Sequence, residues 1–171
     1  MEFTVSTDKM ARVVTAFVTV LFIGLATLPF FTVADADSAG RWIMFGTTGL
    51  AWVIYLFAWL LRPAGYSITG DRLIIRRPWR SRDISLGAIT DIRMPEPSAM
   101  RWSIRLFGSG GLFGYFGRFR NKTFGNMNWY ATRLDKFTVI NLRSGETIVL
   151  TPDDATFATR LGSAAGLDQH P

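Results

Sequence analysis

Two stretches of this chain carry no charge at all. Val13 to Ala34 is 22 residues long, and Trp42 to Leu61 is 20. At about 1.5 Å per helical residue, 20 residues rise about 30 Å, the depth of a bilayer's hydrocarbon core. A helix buried in a water-soluble core seldom runs so far without a charged face. Each stretch therefore predicts a transmembrane helix. Trp42 opens the second run and Trp59 lies near its end, as in an aromatic belt. Trp52 and Tyr55 read as packing or lipid-facing side chains. With no Asp, Glu, Lys, Arg or His inside either run, an ion or proton path through these helices alone is disfavoured.

The link Asp35-Ala36-Asp37-Ser38-Ala39-Gly40-Arg41 is short and carries two acids and one base. The two helices are thus expected to form a hairpin, 13–61, with both ends on one side. Arg62, Arg72, Arg76, Arg77, Arg80 and Arg82 follow the second run. The positive-inside rule then places both termini in the cytoplasm, with residues 1–12 as an N-terminal flank. The rival reading is a cleaved signal peptide, since Ala34-Asp35-Ala36 resembles a cleavage site. The apolar run exceeds the usual signal core of about 7–15 residues. The flank is also close to neutral, because Glu2 and Asp8 offset Lys9 and Arg12.

Composition removes most familiar enzymes. The 171 residues include no cysteine and a single histidine, His170, beside the last residue. Disulfides, zinc-thiolate sites and cysteine nucleophiles are excluded. A Ser–His–Asp triad or a histidine metal site would have to be built from the tail. Neither a cofactor nor a metal is expected. The net charge is +6 and the mean hydropathy is +0.20. That pairing suggests an oily segment joined to a basic one. Residues 62–171 hold 16 basic and 9 acidic side chains, net +7, so the positive excess lies there.

This second part reads as a small β domain closed by a helix. Tyr66-Ser67-Ile68-Thr69 and Arg72-Leu73-Ile74-Ile75-Arg76 flank the turn Gly70-Asp71 and predict a hairpin. Short strands follow at Arg82–Leu86 and Ile89–Arg93. Pro95-Glu96-Pro97-Ser98 predicts a loop, and Trp102–Phe107 alternates as a strand again. Phe137–Leu142 and Thr147–Leu150 flank Arg143-Ser144-Gly145-Glu146 as a second hairpin. Thr151-Pro152-Asp153-Asp154 then suggests a helix capped by Thr151, with Phe157, Ala158 and Leu161 as its apolar stripe. The expectation is a partly open small barrel over 62–162 with a helix across its open end, and a flexible tail over 163–171.

Several pieces carry a family resemblance. They are Gly70-Asp71-Arg72-Leu73, Gly108-Ser109-Gly110-Gly111-Leu112-Phe113-Gly114, Gly125, Tyr130-Ala131-Thr132, and Thr151-Pro152-Asp153-Asp154 with Phe157. Over about residues 65–162 the chain resembles the bacterial pleckstrin-homology-like (bacterial PH) domain family. The resemblance implies a PH-like barrel or split barrel capped by a C-terminal α-helix. It also implies a membrane-anchored protein of the bacterial inner membrane, since many members are so anchored. Eukaryotic relatives of the fold bind phosphoinositides or proteins, but no defined phosphoinositide signature is present, and a fold does not by itself give a function.

Two constellations are candidates for binding. Arg76, Arg77, Arg80 and Arg82 surround Trp79 shortly after the second run. They could hold anionic headgroups, at about 1 kcal/mol per basic residue near a membrane. Equally, they could be a solvated hairpin whose charges only set topology. The second is Gly108, Gly111, Gly114 and Gly117, spaced by three, with Phe113, Tyr115 and Phe116 among them. This spacing fits neither a dinucleotide nor a phosphate-loop fingerprint. It reads as a bulged strand or turn whose aromatics fill the core, or as an exposed loop meeting a partner or a membrane. Arg118, Arg120 and Lys122 around Phe119 could in principle stack single-stranded nucleic acid, but one charged strand face is the simpler reading. Asp83 and Asp91 should pair with arginines, and no carboxylates form an acid–base dyad.

The resulting expectation is a non-enzymatic binding or scaffold module at the cytoplasmic membrane face. It would contact anionic lipid and associate with itself, since tethering raises effective concentration. The alternative is an accessory subunit of a larger transport or secretion complex, with a small-residue face of Ala16, Gly24 and Ala26 packing on a partner.

Overall fold

The computed structural model describes residues 1–32 and 38–167. The expected Asp35–Arg41 link lies partly outside the described residues, as does the end of the tail with His170.

Both apolar runs are helical. Helix α1 spans Lys9–Thr32 and α2 spans Ser38–Leu61, so α2 starts before Trp42 and takes in Arg41. Both are long and apolar enough to cross a membrane, and the β domain buries almost none of either. They meet along Thr19 and Phe22 on one side and Trp52 and Tyr55 on the other. Thr19 Oγ1 and Tyr55 Oη lie 2.6 Å apart, and the rings of Phe22, Trp52 and Tyr55 form a triangle of contacts at 5.2–5.9 Å. Gly24 of the expected small-residue face has no neighbour within 4 Å of where a Cβ would stand.

The rest is mainly β, in two sheets. The first holds β1 (Glu2–Phe3), β2 (Gly65–Thr69), β3 (Arg72–Arg76) and β4 (Arg82–Ser85), in that order and antiparallel. The second holds β5 (Ile89–Arg93), β6 (Ile104–Gly110), β7 (Tyr115–Asn121), β8 (Gly125–Ala131), β9 (Thr138–Leu142) and β10 (Thr147–Leu150). Its order is β5-β9-β10-β8-β7-β6, and the β10–β8 pair is parallel. Both expected hairpins are present.

The sheets do not close into a barrel, so of the expected barrel or split barrel the closed form is not formed. Leu86–Ala88 forms a 3₁₀ turn between β4 and β5. The Leu86 N–H turns away to donate to Asp71 O, and β5 continues in the other sheet. One apolar cluster bridges the two sheets. Ile68, Leu73, Ile75 and Ile84 come from the first, and Ile89, Ile140, Ile148 and Leu150 from the second. Phe157 and Leu161 of helix α4 (Phe157–Ala164) complete it. A second cluster lies on the opposite face of the larger sheet, built from Tyr115, Phe119, Met127, Trp129, Phe137, Val139 and Val149. Strands β9 and β10 are therefore covered on both faces. That is why Val139-Ile140 and Ile148-Val149-Leu150 are consecutive apolar residues rather than alternating ones.

Three local expectations change. Thr151 does not cap α4. It is fully buried, and its Oγ1 accepts the Thr132 N–H at 2.9 Å. The chain stays irregular to Thr156, where Asp154 Oδ1 accepts both the backbone N–H and the hydroxyl of Thr156 at 2.8 Å. The Pro95–Ser98 segment is not wholly loop, because Pro97 starts a four-residue helix, α3 (Pro97–Met100), that drives Met100 into the second cluster. Strand β6 begins at Ile104 rather than Trp102.

The largest surprise lies at the start of the chain. The flank that reads as a simple tail forms β1. Phe3 is buried against Phe157 at 4.9 Å, ring edge to ring face. The Met1 amine donates to Ile68 O at 2.7 Å, and Glu2 pairs with Arg76 at 2.9 Å.

Candidate functional site

The helix pair meets the β domain at a junction built from three segments. The first is the stretch from Thr4 to Asp8. Asp153 N–H donates to Thr4 O, and Thr132 Oγ1 donates to Ser6 O. Ser6 Oγ donates to Asp153 Oδ1 at 2.5 Å, and Arg133 ties Asp153 to Asp135. The Arg133 guanidinium bonds hold the Asp135 carboxyl below the usual range. Asp8 then does two jobs. Its N–H donates to Thr132 O, and its Oδ1 accepts the Ala11 N–H at 2.7 Å. An aspartate in that position satisfies an otherwise unpaired donor in the first turn of α1. The Tyr115 hydroxyl reaches the same Oδ1 at 3.4 Å. Burial, reinforced by Asp8, pushes the Tyr115 pKa up to about 12.

The second segment is the glycine–aromatic hairpin of β6 and β7. Gly108 and Gly117 face each other across it. A Cβ on Gly108 would stand 2.1 Å from Phe116 O, and one on Gly117 would stand 2.3 Å from Phe107 O. Only glycine permits that approach, and both have positive φ. The spacing therefore records a squeezed pair of strands. Tyr115, Phe116 and Phe119 are buried, so the two readings divide between strand and tip. The tip docks on the helices. A Cβ on Gly111 would touch Val14 of α1 at 3.4 Å. The Phe113 N–H donates to Thr15 Oγ1 at 2.9 Å, and the Phe113 ring meets Tyr55 of α2 at 5.1 Å. Phe113 holds φ 59°, a left-handed conformation rare for an aromatic residue.

The third segment is the β3–β4 loop. The Trp79 N–H donates to Leu60 O, and the Trp79 ring packs on Phe57 of α2 at 5.5 Å while 61 % of the residue stays exposed. The five clustered residues are not equivalent. Arg82 is committed inside the domain. Its Nη2 bridges both Glu146 oxygens at 2.6–2.7 Å, its Nη1 donates to Tyr130 Oη at 2.7 Å, and Asn128 supports Glu146. Burial works against the Arg82 charge, but its bonds to Tyr130 and Glu146 outweigh that and raise its pKa. Arg76 pairs with Glu2. Arg77 donates to Arg80 O at 2.7 Å and lies over the Tyr130 ring at 5.6 Å. The Arg80 side chain has no hydrogen-bond or ion-pair partner among the described residues. Trp79 and Arg80 are thus exposed beside the end of α2, with Arg77 half-buried between them and the Tyr130 ring.

Elsewhere the charges are local. Asp83 pairs with Arg72 at 3.6 Å and Asp91 with Arg93 at 2.6 Å. Arg118 and Arg120 are exposed on one side of β7, with Phe119 buried on the other. Nothing in the sequence marks Thr15 or Tyr55 as junction residues. Only Asp8 carried a local signal, an aspartate just ahead of a helical run.

A family model described as "Bacterial PH domain" matches residues 64–163, nearly the span of the resemblance seen in the sequence, residues 65–162. No curated protein and no solved structure matches the chain.

Proposed function

Since the chain belongs to the bacterial PH domain family, we propose that it is a membrane-anchored, non-enzymatic binding or scaffold module. Helices α1 and α2 span the inner membrane as a hairpin, and both termini lie in the cytoplasm. The β domain then sits against the inner leaflet. Arg77, Trp79 and Arg80 contact anionic headgroups, while Arg76 and Arg82 brace the loop that presents them. The tip at Gly111, Phe113 and Gly114 lies at the membrane edge of α1 and α2.

The observation that carries this reading is the seat of Trp79 on Phe57, one turn inside the end of α2. A tryptophan there lies at the depth where indole rings prefer to sit, and its neighbouring arginines lie at headgroup level. Self-association belongs to the same reading. Strand β6 is a sheet edge with Ile104, Leu106 and Phe107 exposed, and such edges invite pairing with another chain.

The chain has no cysteine, so one can be introduced cleanly. A nitroxide on Trp79→Cys in the full chain, in lipid nanodiscs, reports depth by its accessibility to oxygen and to a water-soluble nickel relaxant. The label should sit at headgroup depth and deeper in phosphatidylglycerol than in phosphatidylcholine. Salt, or Arg77→Gln with Arg80→Gln, should remove that difference. A label as water-accessible as one on Gly145→Cys, at the β9–β10 turn, would refute the contact.

A further inference from the structure

The second apolar cluster is open along one side. Beneath α3 and β6 lies a cavity of about 680 Å³, within the range of sites that hold small organic molecules. Its wall is aromatic, made of Tyr115, Phe119, Trp129 and Phe137. Phe119 stacks on Trp129 at 4.4 Å. Trp129 is only 2 % exposed, and its indole N–H has no acceptor among the described residues. Buried donors are nearly always paired, so an unpaired one within a residue of the cavity wall sets this wall apart from an ordinary packed core.

The charged groups at this cavity have one sign. Arg101 and Arg105 line it, and no Asp or Glu does. Neither guanidinium has a hydrogen-bond or ion-pair partner among the described residues. Arg105 folds back over Gly110, where a Cβ would stand 3.1 Å from its Nη1. The glycine leaves room for the guanidinium to lie along the cavity. The same end of the cavity adjoins the helices. Tyr115 reaches Asp8 at the start of α1, and Ala11 belongs to the cluster behind the wall.

From this geometry we infer a binding site for an anionic amphiphile. Its apolar body lies on the aromatic wall, and its carboxylate or phosphate is held by Arg101 and Arg105. The site is separate from the headgroup contact of the β3–β4 loop, so either can fail without the other. A ligand of this chemistry could come from the leaflet, as a single-chain lipid entering beside α1, or from the cytoplasm as a soluble acid.

The test uses the full chain in phosphatidylcholine nanodiscs, with empty nanodiscs as the blank. Octanoate and octanol are compared at equal free concentration as competitors for anilinonaphthalene sulfonate. Octanoate should displace the probe at least about tenfold better than octanol, the factor expected for one charge-assisted contact. Arg105→Gln should remove about that factor. Leu134→Trp, at a partly exposed wall position, should abolish displacement while leaving far-UV circular dichroism unchanged. Mass spectrometry of the purified protein then separates the sources. A lipid retained by the wild type and lost from Leu134→Trp supports the site and identifies the leaflet. No retained lipid, with octanoate still binding, supports the site with a soluble ligand. Equal displacement by octanoate and octanol, or displacement unaffected by both variants, overturns the inference.

Discussion

Phe3→Ala tests whether the start of the chain belongs to the core. Phe3 is 3 % exposed and packs edge-on against Phe157, in the cluster that bridges both sheets. Core Phe→Ala changes cost about 3–5 kcal/mol. Strand β1 has two residues at a sheet edge and can relax into part of the space, so the lower end, about 3 kcal/mol, is expected. A domain of this size has roughly 5–15 kcal/mol in all, so the loss is a large share. The assay is amide hydrogen exchange of the full chain in nanodiscs, read in peptides covering β2 and β3. Exchange there proceeds through opening of the domain, and 3 kcal/mol corresponds to roughly a 150-fold faster rate. Val5→Ala, at a partly buried position beside the same cluster, should give less than about tenfold. If Phe3→Ala changes exchange around Leu73 and Ile75 by less than threefold, β1 is an ornament on the fold and the reasoning fails. The same logic predicts that a fragment starting at Arg62 is unstable unless residues 1–8 are restored to it.

Two further outcomes follow from buried groups. The Tyr66 hydroxyl donates to Tyr130 O at 2.5 Å and accepts the Thr151 N–H at 3.1 Å, so Tyr66→Phe strands both and should cost about 1–3 kcal/mol in denaturant unfolding. Burial raises the Tyr66 and Tyr115 pKa values above the free value of about 10. Stability should thus be full below pH 10, where neither state is ionised, and fall as pH rises through 12 because the unfolded chain loses its protons first. Tyr66→Phe should flatten that fall, and an unchanged alkaline slope would contradict it. Gly108→Ala drives a methyl into Phe116 O at a φ of 107° and should cost at least about 2 kcal/mol in the same assay. Gly145→Ala, at a φ of 82° with nothing within 4 Å, should cost about 1 kcal/mol, and equal losses would refute the close-approach account.

The residues that betray the fold in the sequence are those whose neighbours in sequence are also their neighbours in space. The β2–β3 and β9–β10 hairpins are visible because Gly70-Asp71 and Ser144-Gly145 join strands that pair with each other. The helix pair is visible because its only requirement is a long charge-free run. Contacts across long stretches of chain leave no such trace. Phe3 meets Phe157, and Glu2 meets Arg76, through pairing that no local period encodes. Thr151 looks like a helix cap because a threonine ahead of Pro-Asp-Asp is one in most settings. Here a buried Thr132 N–H claims its hydroxyl first, and tertiary demand overrides the local preference. The glycine spacing shows that something is crowded at 108–117, but not that Val14, Thr15 and Tyr55 are what the tip crowds against.

That tip changes what an anchor means in this protein. A domain on a flexible tether samples many orientations, and its binding face meets the membrane only part of the time. Here both helix ends are stitched down. Ala64, the residue just before β2, already donates to Arg76 O. On the other side Thr4, Ser6 and Asp8 are each bonded to the β domain before α1 begins. The Phe113 tip adds a third contact between those two attachments, reaching both helices at once. With contacts at three places, the helix pair is docked on the β domain rather than joined to it by a bare linker. Arg77, Trp79 and Arg80 are then held beside α2 rather than finding it. The ordering entropy that a tethered loop would lose on each encounter has already been lost in folding. Under that constraint a few basic residues, each contributing weakly, would be enough for the proposed headgroup contact, without any dense phosphate-binding signature in the sequence.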